Sequence, residues 1–226
     1  EALKYEVDVN YQGEAKNKTD VIVIESINEL SKILDKKYSI VNELFFGMFY
    51  SELLSNENDT KDTFISKKYE HFNNLTLQYS GDSLVENLDS FFKNELLDAP
   101  ILNEKTNIKQ KAYKTTKISN APPYLFITLK KYDITKKSKE SYEIPIDNLN
   151  FNKYCIGYDQ FDCNYKLNGV ICHIGSLDFG HYYSIIKKNN KWYLCNDNSI
   201  SEFNIKKQQK MINKNAYVLL YMKNKK

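Results

Sequence analysis

Two strand-like segments near the C-terminus constrain the fold of this chain more than any other feature. Residues 182–188 and 191–195 are rich in apolar, β-prone side chains, and they are close enough in sequence to form one hairpin. His181 directly precedes the first segment, and Asn196 and Asp197 directly follow the second. One hairpin can therefore bring an imidazole, an amide and a carboxylate together.

These three side chains have the chemistry of part of a nucleophilic site. A catalytic imidazole needs one nitrogen for the nucleophile and the other bound to an acceptor. Asn196 can accept through its amide oxygen and Asp197 through its carboxylate. An amide is sufficient where the nucleophile is a thiol, because a thiolate–imidazolium pair is already stable and the third residue only orients the ring. A structural role remains the alternative for His181, since a Gly-His-Tyr sequence alone is a weak signal.

The other histidines favour structural roles. His71 lies in an alternating, aromatic-rich strand, and His173, considered alone, is typical of a hydrogen-bonded core residue. Zinc sites need closely paired Cys or His ligands, and Cys155 and Cys163 are too far apart in sequence to form such a pair. We therefore expect no metal and no cofactor.

Composition excludes several classes of protein. The 226 residues are sufficient for one large domain or two small ones, and an apolar fraction of 42% can form a core. The net charge of +3 is dispersed, which argues against a nucleic-acid partner. The four cysteines form no disulfide framework, and we see no leader and no long apolar run. We expect free thiols, no membrane span, and a cytoplasmic or nuclear location.

The chain combines helices with many strands. Apolar spacing predicts a helix over residues 20–37, capped by Thr19 or Asp20. Ser83 and Glu86 form a capping box for a second short helix. The remaining segments predict strands, and the run 124–132 is apolar enough for a central strand covered on both faces. The other predicted strands are 44–50, 67–72, 74–79, 113–118, 165–174 and 216–222.

Six blocks in a fixed order resemble the ubiquitin-specific protease family of cysteine deubiquitinases. The resemblance covers roughly residues 20–222 and is specific because the order and spacing of the blocks agree. The blocks are the helix at 20–35, the stretch from Phe45 to Phe92, the Pro-Pro-Tyr-Leu-Phe-Ile-Thr-Leu-Lys-Lys-Tyr strand at 122–132, the Gly-Val-Ile-Cys-His-Ile-Gly-Ser to Gly-His-Tyr region at 169–182, the Lys-Trp-Tyr-Leu-Cys-Asn-Asp-Asn-Ser strand at 191–199 and the closing strand at 216–221.

The resemblance implies an α+β fold of the papain-like cysteine-protease superfamily, with a palm, β-fingers and part of a helical thumb. The implied organisation is an N-terminal arm at 1–19, a partial domain at 20–222 and a basic tail at 223–226. Within the partial domain, the thumb helix would occupy 20–40, the fingers 41–120 and the palm 121–222.

The resemblance also implies roles for individual residues. His181 would be the general base, Asn196 would orient it, and Asp197 would be an auxiliary polar group. The loops at 174–180 and 133–141 would gate the channel that holds the ubiquitin tail. The residues implied to bind substrate are Tyr182, Gly180, His173, Asp178 and Phe179. The expected activity is thiol-dependent hydrolysis of isopeptide bonds after the C-terminal glycine of ubiquitin, and the expected partner is ubiquitin or a ubiquitinated protein.

Two departures from the family pattern matter. The family's nucleophile lies in a Gly-Asn-Thr-Cys block, and no part of this chain matches it, because all cysteines lie in the C-terminal half. Cys195 adjoins Asn196 and would face the opposite side of a regular strand. The fingers of the family also carry two Cys-x-x-Cys zinc pairs, and residues 53–57 and 101–105 lack them. The fingers must then depend on strand pairing and packing.

Three explanations fit the missing nucleophile. The chain is a part of a protease whose thumb segment is supplied upstream or by another chain. Alternatively, the protein is a catalytically dead module that binds ubiquitin or acts as a scaffold. In the third explanation, the β-rich shell serves an unrelated interaction. Under each of them, we expect the chain alone to have no hydrolase activity.

Overall fold

The structure is a computed structural model that describes residues 4–6, 14–35, 37–55, 64–103, 107–131, 141–176 and 179–224. Within these residues the α-helices are α1 (Lys18–Ile33), α2 (Ile40–Phe45), α3 (Leu84–Phe91) and α4 (Gln209–Asn215). Short 3₁₀ helices span Asn152–Tyr154 and Gly157–Gln160.

The strands in the same residues occupy most of the remaining chain. They are β1 (Lys4–Glu6), β2 (Lys37–Ser39), β3 (Gly47–Leu54), β4 (Phe64–Phe72), β5 (Asn74–Gln78), β6 (Glu95–Leu96), β7 (Ile101–Asn103), β8 (Ile108–Gln110), β9 (Tyr113–Asn120), β10 (Tyr124–Lys130), β11 (Leu149–Asn150), β12 (Asn164–Gly175), β13 (Gly180–Lys188), β14 (Lys191–Asn196), β15 (Ser199–Glu202) and β16 (Ala216–Lys223).

Each of two compact units is assembled from three segments of the chain. The first unit contains Glu1–Phe72, Phe92–Pro122 and Phe151–Cys163. The second unit contains Asn73–Phe91, Pro123–Asn150 and Asn164–Lys226. The chain therefore passes repeatedly from one unit to the other, so that neither unit corresponds to one continuous stretch of sequence.

The first unit is a helix packed on a four-stranded sheet. The strand order is β4-β3-β9-β6, and helix α1 contacts β3, β4 and β9. Glu25 of α1 accepts hydrogen bonds from Lys67 at 2.6 Å and from Tyr69 at 2.8 Å, both on β4. Ser26 of α1 and Ser119 of β9 share a buried hydrogen bond of 2.9 Å. These polar contacts fix the helix on the sheet.

Helix α1 begins earlier than the sequence predicted. Its N-cap is Asn17, whose side chain accepts from the backbone N–H of Asp20 at 3.0 Å. The prediction of Thr19 or Asp20 as the cap was wrong. Asp20 lies inside the first turn, where its carboxylate accepts from the backbone N–H of Lys16 at 2.8 Å. A first-turn carboxylate that reaches back in this way closes the start of the helix.

Part of the predicted strand at 44–50 is helical. Residues Ile40–Phe45 form α2, and the strand starts only at Gly47. The side chain of Ser39 accepts from the backbone N–H of Asn42 at 3.2 Å, which caps a helix that the β-branched Ile40 and Val41 disfavour. Gly47 then permits close approach of the chain, because a Cβ atom there would lie 2.4 Å from the Phe72 ring.

The second unit is built on an eight-stranded sheet. Seven strands follow the order β15-β14-β13-β12-β16-β10-β5, and β11 pairs with β12. All pairs are antiparallel except β10 with β5. Helix α3 contacts β5, and α4 contacts β12 and β16. Side chains fully or almost fully buried in this unit include Leu125, Ile127, Leu129, Tyr142, Ile144, Val170, Cys172, Ile185, Leu219 and Tyr221.

Most sequence predictions for this unit are confirmed. Strands β12, β13, β14 and β16 cover the four segments predicted between 165 and 222. Ser83 accepts from the backbone N–H of Glu86 at 3.1 Å, and the Glu86 carboxylate accepts from Asp82 N–H at 2.8 Å, as in a capping box. The expectation for β10 was only partly right, because alternate side chains are buried on one face and half-buried on the other.

Candidate active site

The ends of β13 and β14 bring the predicted polar side chains together. The two strands are antiparallel, with Ser184 opposite Cys195. Continuing this register by one residue places Asn196 opposite Tyr183. His181, two residues earlier on β13, is then the diagonal neighbour of Asn196 on the same face of the sheet.

The His181 ring contacts Asn196 directly. Its Nε2 lies 2.5 Å from Oδ1 of Asn196. An amide oxygen only accepts, so Nε2 carries the hydrogen and donates, and Nδ1 holds the basic lone pair. The imidazole side chain is 48% exposed. This geometry leaves an oriented base, with its acceptor nitrogen available, at the open end of the hairpin.

Asp197 is placed more loosely than Asn196. Its Oδ2 lies 3.8 Å from Nε2 of His181, and its side chain is 77% exposed. The residue has a φ of 49°, in the left-handed region, as the chain turns from β14 into β15. Asp197 can therefore add negative charge near the imidazole, while Asn196 makes the hydrogen bond.

The end of β12 lies close to the start of β13 just before His181, with Gly175 opposite Gly180. Gly175 has a φ of 132°, and a Cβ atom there would lie 2.3 Å from the carbonyl oxygen of Phe179. The backbone N–H of Ser176 donates to that same carbonyl at 2.7 Å. Phe179 is 83% exposed. Asp178, predicted from the sequence as a substrate-binding residue, lies outside the described residues.

Three rings form an aromatic cluster beside these strand ends. His173 and Tyr182 are 4.4 Å apart between ring centroids, and Tyr217 lies 6.4 Å from His173 and 6.0 Å from Tyr182. A Cβ atom on Gly180 would lie 2.0 Å from Nε2 of His173, so glycine makes room for that ring. Tyr182 is 53% exposed. Tyr217 was not predicted from the sequence as part of this cluster, because its contact with His173 arises only when β16 pairs with β12.

None of the four cysteines is a suitable nucleophile for His181. Cys155 and Cys163 are buried in the first unit. Cys195 pairs with Ser184 and, by strand alternation, faces away from the side that carries Asn196. Cys172 shares a face with His181 but is fully buried, and burial raises the pKa of its thiol to about 11. It is therefore a protonated, packed thiol at neutral pH.

Two further features are absent from the described part of the chain. It holds no group of three or more His, Cys, Asp or Glu side chains that could bind a metal ion. No helix within it is long and apolar enough to cross a membrane.

The sequence of this chain matches a known family over nearly its whole length. The model of the family described as ubiquitin carboxyl-terminal hydrolase matches residues 10–221. The chain therefore belongs to the ubiquitin carboxyl-terminal hydrolase family, and its domain is of the ubiquitin-specific protease type.

Curated relatives have the same family name. The "Probable ubiquitin carboxyl-terminal hydrolase R319" of Acanthamoeba polyphaga mimivirus is 30% identical over 217 residues, which are 89% of this chain and 45% of the relative. The ubiquitin carboxyl-terminal hydrolase Usp2 of Drosophila melanogaster is 29% identical over 193 residues, which are 81% of this chain and 20% of the relative. The chain thus spans less than half the length of these relatives.

Solved structures have the same fold. In the SAGA DUB module of Ubp8, Sgf11, Sus1 and Sgf73 bound to monoubiquitin, a chain matches with a TM-score of 0.70 and 26% identity, over 88% of this chain and 46% of that one. The same module bound to ubiquitin aldehyde matches with a TM-score of 0.66 and 25% identity, over 88% of this chain and 47% of that one. The fold is the papain-like α+β fold of ubiquitin-specific proteases.

Proposed function

We propose that the protein containing this chain is a thiol-dependent deubiquitinase, and that this chain supplies the histidine and asparagine of its active site. The contact of 2.5 Å between Nε2 of His181 and Oδ1 of Asn196 carries the proposal. It sits at the exposed end of a hairpin, in a chain of the ubiquitin carboxyl-terminal hydrolase family. The bond to be cleaved is the isopeptide bond after the C-terminal glycine of ubiquitin.

Each polar residue of the site has a distinct role in this proposal. His181 takes the proton of the nucleophilic thiol through Nδ1 and later returns it to the leaving amine. Asn196 holds Nε2 and thereby fixes both the tautomer and the direction of the ring. Asp197, at 3.8 Å, stabilises the imidazolium through its charge alone.

The thiol comes from outside this chain. The four cysteines are buried or face away from His181, so the proposal requires a cysteine on a thumb segment, either in another part of the same protein or in a second chain. The chain alone then orients a base without a nucleophile and hydrolyses nothing. Free thiols are typical of proteins in reducing compartments, and the proposed location of this protein is therefore cytoplasmic or nuclear.

The extended tail of ubiquitin would lie beside the aromatic cluster. Tyr182 and Phe179 offer exposed rings, and His173 packs against Tyr182 where Gly180 leaves space. A chain that ends in Gly-Gly fits a channel walled by rings, because the glycines have no side chain to collide with them. Asp178 is included in this proposal from the family resemblance. The similar module bound to monoubiquitin supports ubiquitin as the ligand.

Labelling of the full-length protein tests the proposal directly. A ubiquitin derivative with a C-terminal electrophile forms a covalent adduct only with an activated thiol. We expect an adduct with the full-length protein, strongly reduced in His181→Gln and unchanged in the matched variant His71→Gln, whose histidine lies in the first unit. An intact, folded protein that forms no adduct contradicts the proposal.

The chain alone provides the complementary assay. We expect no release of fluorophore above the blank from a ubiquitin C-terminal fluorogenic substrate. A rate that depends on Cys172 or Cys195 would show that the nucleophile lies within the chain, and it would overturn our placement of the thiol.

A catalytically dead ubiquitin-binding or scaffolding module is the second candidate. It needs no thiol, which agrees with a chain in which Cys172, the cysteine that shares a face with His181, is buried and has a raised pKa. Calorimetry separates the candidates when it is combined with the labelling experiment. Binding of ubiquitin to a full-length protein that forms no adduct identifies this second function.

A further inference from the structure

A buried lysine at the end of β10 carries our further inference. Lys130, the last residue of the strand, is exposed, whereas Lys131 is only 8% exposed. Lysine is almost never fully buried unless its ammonium group has partners. The interior position of Lys131 therefore calls for an explanation that its exposed neighbour does not need.

The amine of Lys131 holds the end of helix α4. Its Nζ donates to the carbonyl oxygen of Lys214 at 2.7 Å and to that of Asn213 at 3.2 Å. These carbonyls belong to the last turn, where helix carbonyls have no partner within the helix. Nζ also lies 4.8 Å from the centroid of the Tyr79 ring. The end of α4 is thus fixed by a side chain from a neighbouring strand.

Burial and one neighbouring side chain set the pKa of this lysine. Burial lowers its pKa to about 8, and the Cys172 thiol on β12 acts in the opposite direction. The Tyr79 ring and the carbonyls of α4 are the other groups that face the amine. A neutral amine still has two N–H donors, so both contacts with α4 persist on either side of this pKa.

The clamped turn leads by hydrogen bonds to the strand of His181. Asn215, the last residue of α4, donates from Nδ2 to the hydroxyl oxygen of Tyr183 at 3.0 Å. The Tyr183 hydroxyl in turn bonds to the Cys172 thiol. Tyr183 lies two residues after His181 and on the same face of β13, where the register places it opposite Asn196.

We propose that Lys131 is a positioning residue for His181, acting through the end of α4, Asn215 and Tyr183. The inference rests on the proposed function, since it assigns a support to the same site. Without the clamp, the last turn of α4 loses two hydrogen bonds and Asn215 is no longer held toward Tyr183. The Tyr183 ring, which shares a face of the sheet with His181 and Asn196, then gains freedom. The contact between His181 and Asn196 loosens, although Lys131 touches neither residue.

Nuclear magnetic resonance of the chain itself tests this without any enzyme assay. The chain has three histidines, so the ring ¹⁵N signals are few and can be assigned. The unaltered chain should show His181 with hydrogen on Nε2 alone. In Lys131→Met this pattern should become a mixture of both tautomers, with the His71 signals unchanged. The matched variant Lys130→Met, at the exposed neighbouring position, should match the unaltered chain.

The outcomes decide the inference whatever the fate of the proposed function. A folded Lys131→Met chain that keeps the Nε2–H pattern overturns it, and so does the absence of that pattern in the unaltered chain. If Lys131→Met does not fold, Tyr183→Phe decides, because it removes only the hydroxyl that links Asn215 to the strand. A tautomer mixture in Tyr183→Phe supports the inference, and an unchanged pattern overturns it. A failed ubiquitin adduct in the full-length protein would leave these spectra untouched.

Discussion

Two polar regions of the second unit hold titratable groups in opposite ways. At the open end of β13 and β14, His181 is half-exposed and is oriented by one short hydrogen bond to Asn196. In the interior, Lys131 is almost fully buried and contacts two carbonyls and the Tyr79 ring. The first region keeps a nitrogen available for chemistry, whereas the second uses its donors to hold backbone in place.

The difference follows from the cost of desolvation. A half-exposed imidazole keeps much of its hydration, so a single acceptor is enough to select its tautomer. A buried ammonium loses that hydration and must be compensated by several contacts, and its pKa still falls. In this unit, the half-exposed imidazole lies at the ends of two interior strands, and the buried ammonium holds backbone inside the unit.

Removal of the imidazole should have the largest effect at the open end. His181→Gln in the full-length protein should lower kcat by roughly 10²- to 10⁴-fold, the range for loss of a general base, with little change in KM. Steady-state hydrolysis of a fluorogenic ubiquitin substrate measures this. A variant with more than half of the original kcat would show that the open end of the hairpin is not reactive.

The buried region should reveal itself through pH. Because the folded pKa of Lys131 is about 8 and its ordinary value is 10.5, the unfolded chain binds more protons between these values. The penalty for burying the charge is complete below about pH 8 and is relieved as the pH rises toward 10.5. Relative to Lys131→Met, the free energy of unfolding should therefore rise by up to roughly 3 kcal/mol over this range.

Urea unfolding at several pH values measures this gain. Cys172 must be replaced by Ala in both chains, because the folded pKa of its thiol, about 11 against an ordinary 9.0, makes stability fall over part of the same range. A difference between the two chains that stays constant from pH 7 to pH 10 would contradict the placement of a charged amine in the interior.

Asn196 should matter less than His181, because it only aims the ring. Asn196→Ala should lower kcat by about 10²-fold, as expected when a catalytic group loses its orientation but is still present. The exposed Asn198 in the following turn provides the control, and Asn198→Ala should stay near the original rate. Equal losses in Asn196→Ala and His181→Gln would instead indicate that the amide takes part in the reaction itself.

The open end of β13 and β14 was easier to predict from the sequence than the surroundings of Lys131. The apolar runs of β13 and β14 indicate one hairpin, and polar residues at the open end of both strands are then juxtaposed, as His181 and Asn196 are. The catalytic roles of these residues stay predictions. The role of Lys131 could not be found in this way, because its burial depends on α4, a helix of 7 residues without a clear apolar period.

Two short helices, α2 and α4, were not predicted from the sequence, whereas the short helix α3 was, because it begins with a capping box. Helix α2 begins with the β-branched residues Ile40 and Val41 and ends at Phe45, inside the predicted strand. Ser39 caps it, and this local hydrogen bond outweighs the strand propensity of those residues. The Asn17 cap of α1 was missed for a related reason. Several polar residues there can each cap, and only the side-chain contacts in the folded chain select among them.

A methyl group at position 180 tests how closely the His173 ring packs against the backbone of β13. The added Cβ of Gly180→Ala would meet His173 Nε2 at 2.0 Å, so the His173 ring must move. We expect a loss of roughly 1 to 3 kcal/mol in the free energy of unfolding. Gly169→Ala, whose nearest contact would be 3.7 Å from Leu220 Cβ, should cost less than about 1 kcal/mol. Thermal unfolding measures both variants. Equal losses of unfolding free energy in Gly180→Ala and Gly169→Ala would contradict the close packing of His173.

Asp197 should give the smallest effect, and it tests how far exposure weakens a charge beside the reactive ring. Its carboxylate is 3.8 Å from Nε2 of His181 and largely in water, where an ion pair contributes about 0.2 to 1 kcal/mol. Asp197→Asn removes the charge and retains a residue type that tolerates the φ of 49°. We expect kcat of the full-length protein to fall by less than about fivefold, and less at high salt, because exposed charges are screened. A loss as large as that of Asn196→Ala would show that Asp197, and not Asn196, orients the His181 ring. The difference in solvent exposure between His181 and Lys131 would then no longer explain how this unit uses its polar groups.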